Sequence, residues 1–386
     1  MSTGSPRILV TSASVGAGHL RAAQALELAL KELAPGAHIE NVDVLTLTGP
    51  VFRRLYAKAY LDLVNRAPHL LGYIYDLTDK ARKPAKSGDR LRALAQKLNL
   101  QKIVDLLDAA RWDLVVNAHF LPAEIIATRA RRRRRVPHQV TVVTDFDAHA
   151  FWVNQPCERY FVATEEAALG LAHWGVPRDT IEVTGIPVHP VFGREKPVAE
   201  CLAKHGLSGA RPVVLVLAGG FGVGPIESLF RAVLDVEQPL QVVVVAGKNE
   251  SLRARLSRID VPERHSAKVM GFTTEIDELM RAADVVVTKP GGLTTSEVLA
   301  CGAVMAIANP IPGQESRNSD FLLEHGAAIK INSAAVLSHK LSLLLGDRER
   351  LARLKSAARS LGKPQAAYDI ARCALQMATS GSTPRA

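Results

Sequence analysis

The stretch DVVVTKPGGLTTSEVLACGAVMAIANPIPGQESRN, residues 284–318, contains the pattern that decides the fold. A β-branched strand over residues 285–288 runs into the turn 289–292, and a helix is expected to begin near Thr294. The two glycines of the turn let the backbone approach a ligand with no Cβ in the way. The unpaired N–H groups at the start of the helix favour an anion such as a diphosphate. This order of elements is typical of a doubly wound α/β domain that binds a nucleotide at its strand ends.

A second turn, residues 310–313, follows the same helix and leads into the polar cluster 314–318. Glu297, placed by this prediction in the first helical turn, is able to act as a capping-box carboxylate or to accept hydrogen bonds from a ribose diol. An ordinary capped βα turn would explain residues 289–292 alone. Two such turns in succession favour a ligand site.

Composition points to a two-domain globular protein. The 386 residues are enough for two cores, and a hydrophobic content of 47% with 22% charged residues is typical of soluble proteins. The four cysteines show no metal-ligand spacing, which predicts a reducing compartment and no structural metal. No apolar run approaches the ~20 residues of a spanning helix, and no signal peptide is visible. We therefore expect a protein that does not cross a membrane.

A second glycine turn lies near the start of the sequence. A strand over residues 7–12 is followed by the turn 14–19, which ends in His19, and then by a helix from about Leu20 to Leu33. An imidazole that titrates near neutral pH at a strand's carboxyl end is a candidate general base. The alternative is that His19 only caps the turn.

Net charge is +10, and its excess is concentrated in one segment. Between Arg53 and Lys102 there are 12 Lys/Arg against 4 Asp/Glu, together with four of the six tyrosines. Basic residues and tyrosines around an apolar helical stripe favour an anionic membrane surface. An amphipathic helix packed on its own domain would explain the stripe by itself. The arginine run 131–135 ends a helix, where its positive charges interact favourably with the helix dipole and are able to contact phosphates; a solvated helix end is the default interpretation.

Further strands are followed by polar side chains, and after a linker a second series of strands and glycine turns begins. Strands over 112–118 and 140–144 lead into His119 and Asp145, and carboxyl ends of strands face the crevice in open α/β sheets. Prolines at 187, 190 and 197 mark a linker. Beyond it, strand 213–217 enters the glycine turn 218–225, and strand 242–246 enters Lys248 and Asn249. Phe272, after a short strand, either lies against a nucleobase or belongs to the core.

Eight motifs in order resemble one family. They are GAGH at 16–19, VVTDF at 142–146, VTGIPV at 183–188, AGGFGVGPIE at 218–227, AGKN at 246–249, GF at 271–272, TKPGGLTTSE at 288–297 and PIPGQESRN at 310–318. Together they resemble the diacylglycerol glycosyltransferases of the GT-B fold, which include monogalactosyldiacylglycerol synthases and bacterial processive diacylglycerol glucosyltransferases. The N-acetylglucosaminyltransferase of peptidoglycan-precursor synthesis is a more distant relative.

The resemblance implies an α/β architecture of two Rossmann-like domains facing a crevice. Residues 1–192 would form an N-terminal lipid-acceptor and membrane-docking domain, and residues 193–364 a C-terminal UDP-sugar-binding domain. A helix over about 365–378 would cross back onto the N-terminal domain. The implied location is the cytoplasm, with peripheral attachment to the inner face of the cell membrane.

The resemblance also implies a donor site for UDP-glucose or UDP-galactose. Phe272 would hold the uracil, Glu297 the ribose, the two glycine turns the diphosphate, and Gln314 and Glu315 the sugar hydroxyls. The full set of implied donor residues is Gly219, Gly220, Phe221, Gly222, Lys248, Asn249, Phe272, Lys289, Pro290, Gly291, Gly292, Thr294, Glu297, Gly313, Gln314, Glu315 and Asn318. Family enzymes work without a cofactor or a bound catalytic metal, so the resemblance implies no cofactor and no metal here.

The implied reaction is an inverting displacement at the anomeric carbon by a hydroxyl of diacylglycerol. A general base typically contributes ~10²–10⁴-fold to such a step. His19 is the first candidate, Asp145 is the second or the partner that orients His19, and His119 and His149 are bystanders or acceptor contacts. Ala17 and Phe221 stand where many relatives carry other residues, and these positions border the sugar and the acceptor, so the sugar stays open. The number of sugars added and the oligomeric state are open as well.

Three other readings of the chain predict different behaviour. A transferase of N-acetylglucosamine to a polyprenyl-linked lipid would use the same fold with another acceptor. An epimerase of the same fold would act on a UDP-sugar without lipid. A non-catalytic module for anionic surfaces or nucleic acid would bind in a salt-sensitive way, indifferent to UDP; no nucleic-acid partner is expected, since this reading leaves the glycine turns unexplained.

Overall fold

A computed structural model describes residues 5–49, 100–219 and 225–380. The chain divides into two compact units. The first contains residues 1–190, 312–314 and 364–386, and the second contains residues 191–311 and 315–363. The predicted boundary, after residue 192, lies two residues from the observed one.

The first unit is built on a six-stranded parallel sheet with the order β2-β1-β3-β4-β5-β6. Its strands are β1 (Arg7–Ser12), β2 (His38–Asp43), β3 (Leu114–Asn117), β4 (His138–Val142), β5 (Arg159–Val162) and β6 (Ile181–Val183). The helices described in this unit are α1 (Ala17–Leu33), α2 (Gln101–Ala109), α3 (Phe120–Arg131), α4 (Glu165–His173) and, from the far end of the chain, α13 (Ala366–Thr379).

The second unit repeats this architecture with the strand order β12-β11-β10-β7-β8-β9, again all parallel. Its strands are β7 (Val213–Leu217), β8 (Gln241–Val245), β9 (Ser266–Met270), β10 (Val285–Thr288), β11 (Val304–Ala308) and β12 (Ala328–Ile331). Its described helices are α5 (Val198–Lys204), α6 (Ile226–Leu234), α7 (Glu250–Leu256), α8 (Ile276–Ala282), α9 (Gly292–Cys301), α10 (Gln314–Glu324), α11 (Leu337–Gly346) and α12 (Arg348–Leu361).

Each sheet has a switch point, where the strand order reverses. It lies between β1 and β3 in the first sheet and between β7 and β10 in the second. Open α/β sheets bind ligands outside the carboxyl ends of the strands at this point. His19 and His119 come shortly after β1 and β3, and the turns 218–225 and 289–292 follow β7 and β10. The topology therefore places each predicted turn at the switch point of its own sheet.

Burial explains the apolar composition of the central strands. All five residues of β7, β8 and β11 are buried, as expected for parallel strands covered on both faces by helices. The helix α13 packs on α1, and Tyr368 donates a hydrogen bond to the Glu32 carboxylate. Ala367, Ile370 and Ala371 of α13 are buried. The C-terminal helix thus completes the first unit, close to the predicted range 365–378.

Two helices begin earlier than predicted. Helix α1 begins at Ala17, so His19 lies inside its first turn, and α9 begins at Gly292 with Gly291 as N-cap. Glu297 is therefore the sixth residue of α9 and lies in the second turn. The capping-box interpretation of Glu297 is wrong, because the position three residues after the N-cap is occupied by Thr294.

Candidate active site

The first candidate site is centred on His19. Its Nδ1 lies 3.1 Å from the carbonyl oxygen of Ala118 and 3.0 Å from Oγ1 of Thr144. These partners follow β3 and β4, so two neighbouring strands of the first sheet hold a ring that α1 supplies. Burial lowers the pKa of His19 to about 4, with the Ala118 hydrogen bond acting in the opposite direction. The imidazole is therefore neutral at physiological pH and available as a proton acceptor.

His119 and His149 belong to an aromatic cluster that adjoins His19. The rings of His19 and His119 meet edge to face, with centroids 4.6 Å apart. His119 also stacks obliquely on Phe120 at 4.1 Å, and the fully buried Trp152 lies 5.8 Å from His149. Burial, and secondarily repulsion from His19 and His149, holds the pKa of His119 well below 6.5. A neutral, largely apolar environment next to a base suits a lipid acceptor better than a charged one.

The orientation of His19 depends on groups that the sequence did not single out. Thr144 and the Ala118 carbonyl hold Nδ1, the atom that an orienting carboxylate usually contacts. Asp145 follows Thr144 and is 8% exposed. Its role as second base or orienting partner stays a prediction. In the sequence, Thr144 could have been identified as a site residue from its position directly before Asp145, just after β4.

A cavity in the second unit brings together predicted donor residues from three turns. It is lined by Gly219 after β7, by Lys289, Gly291 and Thr294 after β10, and by Glu315 at the start of α10. These turns meet because β7, β10 and β11 are neighbours in the sheet. Gly219 has φ +70°, a backbone conformation that glycine adopts without strain. The cavity thus combines a lysine and the N-terminus of α9, the two features that favour a diphosphate.

Polar side chains that are buried or half-buried support the second turn of this cavity. Glu315 accepts a hydrogen bond from the backbone N–H of Ile311 at 2.7 Å, and burial raises its pKa. Asn318 donates from Nδ2 to the carbonyl oxygen of Pro290 at 3.0 Å. Gly313 has φ +98° within the turn that leads into Gln314. Glu297, on α9, is 2% exposed. Asn318 and Glu315 therefore tie the turn 310–313 to the turn 289–292.

A separate surface lies at the ends of β8 and β9. The ammonium group of Lys248 stands 5.5 Å from the ring centroid of Phe272, which is 66% exposed. Phe272 is therefore not a core residue, and the alternative interpretation is wrong. Asn249 caps α7, since its Oδ1 accepts from the N–H of Leu252 at 2.9 Å. An exposed ring held by a cation is available for stacking.

Some predicted residues lie outside the described ranges. Gly220, Phe221 and Gly222 fall between residues 219 and 225, and the basic, tyrosine-rich segment falls between residues 49 and 100. The predicted diphosphate contacts of the former and the membrane contact of the latter stay predictions.

Within the described residues, one group of three side chains has metal-ligand character: His205, Glu275 and Glu278. Lys204 lies 2.8 Å from Glu275 and 2.9 Å from Glu278, and Lys196 lies 2.8 Å from Glu278. These hydrogen-bonded lysines lower the pKa of Glu278 to about 2. The group is an ion-pair cluster that joins α5 and the linker to α8.

Solved structures place the chain in a class. MurG of Acinetobacter baumannii matches with a TM-score of 0.58 and 15% identity over 96% of this chain and 99% of that one. HepE of Anabaena, solved in complex with UDP-glucose, matches with a TM-score of 0.54 and 16% identity over 98% and 99%. The fold is that of the GT-B glycosyltransferases.

Sequence relatives define the family within that class. The family model described as monogalactosyldiacylglycerol (MGDG) synthase matches residues 19–188, and that of glycosyl transferases group 1 matches residues 202–361. The processive diacylglycerol beta-glucosyltransferase of Bacillus subtilis (strain 168) is 30% identical over 92% of this chain and 91% of its own. The enzyme of the same name from Bacillus mycoides (strain KBAB4) is 31% identical over 95% and 92%. The chain belongs to the diacylglycerol glycosyltransferase family.

Among the helices of the described ranges, none has both the length and the apolar character needed to cross a bilayer.

Proposed function

We propose that the chain transfers glucose from UDP-glucose to the free hydroxyl of diacylglycerol. The observation that carries the proposal is the relationship to diacylglycerol glucosyltransferases along both units, since it covers 92% of the chain at 30% identity. The relatives' name specifies a β-linked product. The glucose of UDP-glucose is α-linked, so formation of a β-glucoside inverts the anomeric carbon. A single in-line displacement produces that inversion.

The first unit supplies the acceptor side of this reaction. Nε2 of His19 takes the proton of the glycerol hydroxyl while its oxygen attacks the anomeric carbon, and the bond to the diphosphate breaks with its electron pair leaving on UDP. The low pKa of His19 keeps the imidazole neutral, and therefore able to accept a proton, throughout the physiological range. The aromatic cluster around His119 and Trp152 excludes water next to the base.

The second unit supplies the donor side. Lys289 and the N-terminal turn of α9 bind the diphosphate and stabilise the charge that develops on the leaving group. Phe272 and Lys248 hold the uracil, Glu297 the ribose, and Gln314 and Glu315 the sugar hydroxyls. No metal is needed in this scheme, because a lysine and a helix dipole face the same cavity.

Membrane attachment belongs to the same proposal. The acceptor is a bilayer lipid, and the segment between Arg53 and Lys102 carries eight more positive than negative side chains. We place the protein at the inner face of the cell membrane as a peripheral protein, with this segment against anionic headgroups.

The test is product analysis by mass spectrometry with diacylglycerol in anionic vesicles. UDP-glucose, UDP-galactose and UDP-N-acetylglucosamine are supplied in separate reactions. We expect glucosyl-diacylglycerol with UDP-glucose, and products with further sugars if the glycolipid is used again as acceptor. A galactosyl product would change the sugar and keep the reaction. Conversion of a UDP-sugar without lipid, or transfer only to a polyprenyl-linked lipid, would overturn the proposal.

A further inference from the structure

The protons on His19 and His119 can be assigned from their hydrogen-bond partners. A backbone carbonyl oxygen only accepts hydrogen bonds, and a backbone N–H only donates them. Nδ1 of His19 faces the carbonyl oxygen of Ala118 at 3.1 Å, so this nitrogen carries a hydrogen. Nδ1 of His119 accepts from the N–H of Leu121 at 3.0 Å, so this nitrogen carries none. Oγ1 of Thr144 shares the hydrogen on Nδ1 of His19 as a second acceptor.

The remaining nitrogens therefore have opposite roles. Both rings are neutral, since burial lowers the pKa of each. A neutral imidazole has one N–H and one lone pair. Nε2 of His19 then has the lone pair, and Nε2 of His119 has the hydrogen. The two rings are neighbours, with centroids 4.6 Å apart and planes at 80°. A ring with a proton acceptor and a ring with a hydrogen-bond donor are thus neighbours at the switch point of the first sheet.

We propose that His119 binds the acceptor lipid directly, by donating its Nε2–H to the oxygen of the hydroxyl whose proton His19 removes. This inference rests on the proposed function. His119 keeps its proton throughout the reaction, because its other nitrogen is engaged with Leu121 and Nε2 has no lone pair to accept one. Its contribution is to orient the hydroxyl so that the O–H bond faces Nε2 of His19. Orientation of this kind affects both the affinity for the acceptor and the rate of attack.

The competing explanation is that His119 only caps a helix. It is the N-cap residue of α3, and a side chain that accepts from a free N–H at the start of a helix stabilises that helix. Two substitutions separate the roles. Asparagine places its carbonyl oxygen near the position of Nδ1 and can keep the cap, but it lacks a donor at Nε2. Glutamine places its NH₂ group near the position of Nε2 and can keep the donor, but it does not reproduce the cap.

The experiment compares His119→Asn with His119→Gln by thermal unfolding, by UDP affinity and by transfer kinetics on diacylglycerol vesicles. We expect His119→Asn to be the more stable variant and to lose about threefold to tenfold in kcat/KM for the acceptor, the loss that corresponds to one hydrogen bond between neutral groups. His119→Gln is expected to be less stable and more active. UDP affinity stays at the wild-type value in both, because the residues proposed to bind the uridine and the diphosphate lie in the second unit.

Two results would overturn the role of His119. One is a transfer rate of His119→Asn close to that of the wild-type protein, when the wild-type protein forms product. This result leaves the proposed function intact. The other is found without any substrate: long-range ¹⁵N–¹H spectra of the histidine rings distinguish the tautomers, and a hydrogen on Nδ1 of His119 would exclude the donor. Absence of product with the wild-type protein is a different result, since it overturns the proposed function and this role together.

Discussion

His19 has to be neutral to act as a base, and its surroundings keep it neutral. Burial lowers the pKa to about 4, so the ring takes up a proton only when the pH falls through that value. We therefore expect kcat/KM for transfer to stay nearly constant from pH 8 to about pH 5.5 and to fall at more acidic pH. The measurement is the pH dependence of initial rates, with vesicle binding checked at each pH. An acid limb centred near the ordinary histidine value of about 6.5 would show that burial does not control the base.

Removal of the ring gives the matching control. His19→Ala is expected to abolish transfer and to leave UDP affinity unchanged, because the donor site lies in the second unit. Turnover at the wild-type rate would exclude His19 as the base.

Thr144 contributes less than His19, because Nδ1 keeps its bond to Ala118 when the hydroxyl is lost. Thr144→Val preserves the shape of the side chain and removes Oγ1. We expect kcat to fall by about twofold to fivefold, the usual effect of one neutral hydrogen bond. Thr144→Ser, which keeps the hydroxyl, is the control and should stay close to wild type. Equal loss in both variants would indicate a packing effect instead.

For the side chains of the first candidate site, the sequence predicts where they lie but not which nitrogen carries a proton. His19 and Asp145 are recognisable because each follows a strand of an α/β pattern. The tautomer of His19 is not, since it depends on the carbonyl of Ala118, 99 residues away in the chain. His119 was interpreted as a bystander or acceptor contact for the same reason: its backbone partner, the N–H of Leu121, is visible only once α3 has a defined start.

Two groups of turns at the edge of the second sheet are expected to bind different parts of one ligand. Lys289 lines the cavity at the N-terminus of α9, while Phe272 lies on the exposed surface after β9. We expect Lys289→Met to lower the affinity for UDP by about tenfold and to leave the affinity for uridine nearly unchanged, because only UDP carries the diphosphate. Phe272→Leu is expected to weaken both. Calorimetric titration of each variant with both ligands is the measurement, and equal losses for uridine and UDP in Lys289→Met would exclude the phosphate contact.

The glycine that ends α9, Gly302, lies against α12, and substitutions test how closely the two helices pack there. Gly302 has φ +67°, and a Cβ there would overlap Cγ of Arg359 on α12. Gly326 has φ +63° with nothing within 4 Å of its Cβ position. We expect Gly326→Ala to cost about 1–2 kcal/mol of stability through backbone strain alone, and Gly302→Ala to cost more. Denaturant unfolding of both variants measures the difference, and equal losses would mean that Arg359 turns away freely.

Elements with strong local patterns were predictable, and weaker ones were not. The β-branched run of β10 identified a strand within the bounds that the structure has. Strands β11 and β12 were not predicted, because their sequences, VMAIA and AIKI, are short and mix β-branched residues with alanine, methionine and lysine. The stop signals were present, since Gly302 and Gly326 follow the preceding helices in the left-handed conformation. The start of α9 was placed two residues late, since a glycine pair was interpreted as turn where Gly292 already has helical backbone.

For the molecule as a whole, the packing of α13 on α1 is the feature with the clearest energetic consequence. Ile370 is fully buried in α13, whereas Leu343 on α11 is 53% exposed. We expect Ile370→Ala to destabilise the first unit by about 2–5 kcal/mol and Leu343→Ala to have little effect. Thermal unfolding with and without UDP assigns the transitions, because a ligand raises only the transition of the unit that binds it. A stable first unit in Ile370→Ala would show that α13 is dispensable.

The two-domain organisation was predictable from prolines and from the restart of the βα pattern after them. The return of α13 to the first unit was implied by the resemblance alone, since an amphipathic helix does not indicate which surface covers its apolar face. The division of labour follows from this organisation: the candidate base belongs to one unit and the cavity for the donor to the other.

The return of α13 also affects the order in which the molecule is made. The ribosome adds about 5–20 residues per second, and domains usually fold as they emerge, the N-terminal one first. Here α13 begins nearly two hundred residues after β6, so the first unit waits about 10–40 s for its last helix at these rates. During that interval the apolar face of α1 lacks its cover while the whole second unit emerges. The nascent chain is then most exposed to aggregation and to chaperone binding, and the unit that is begun first is the one completed last.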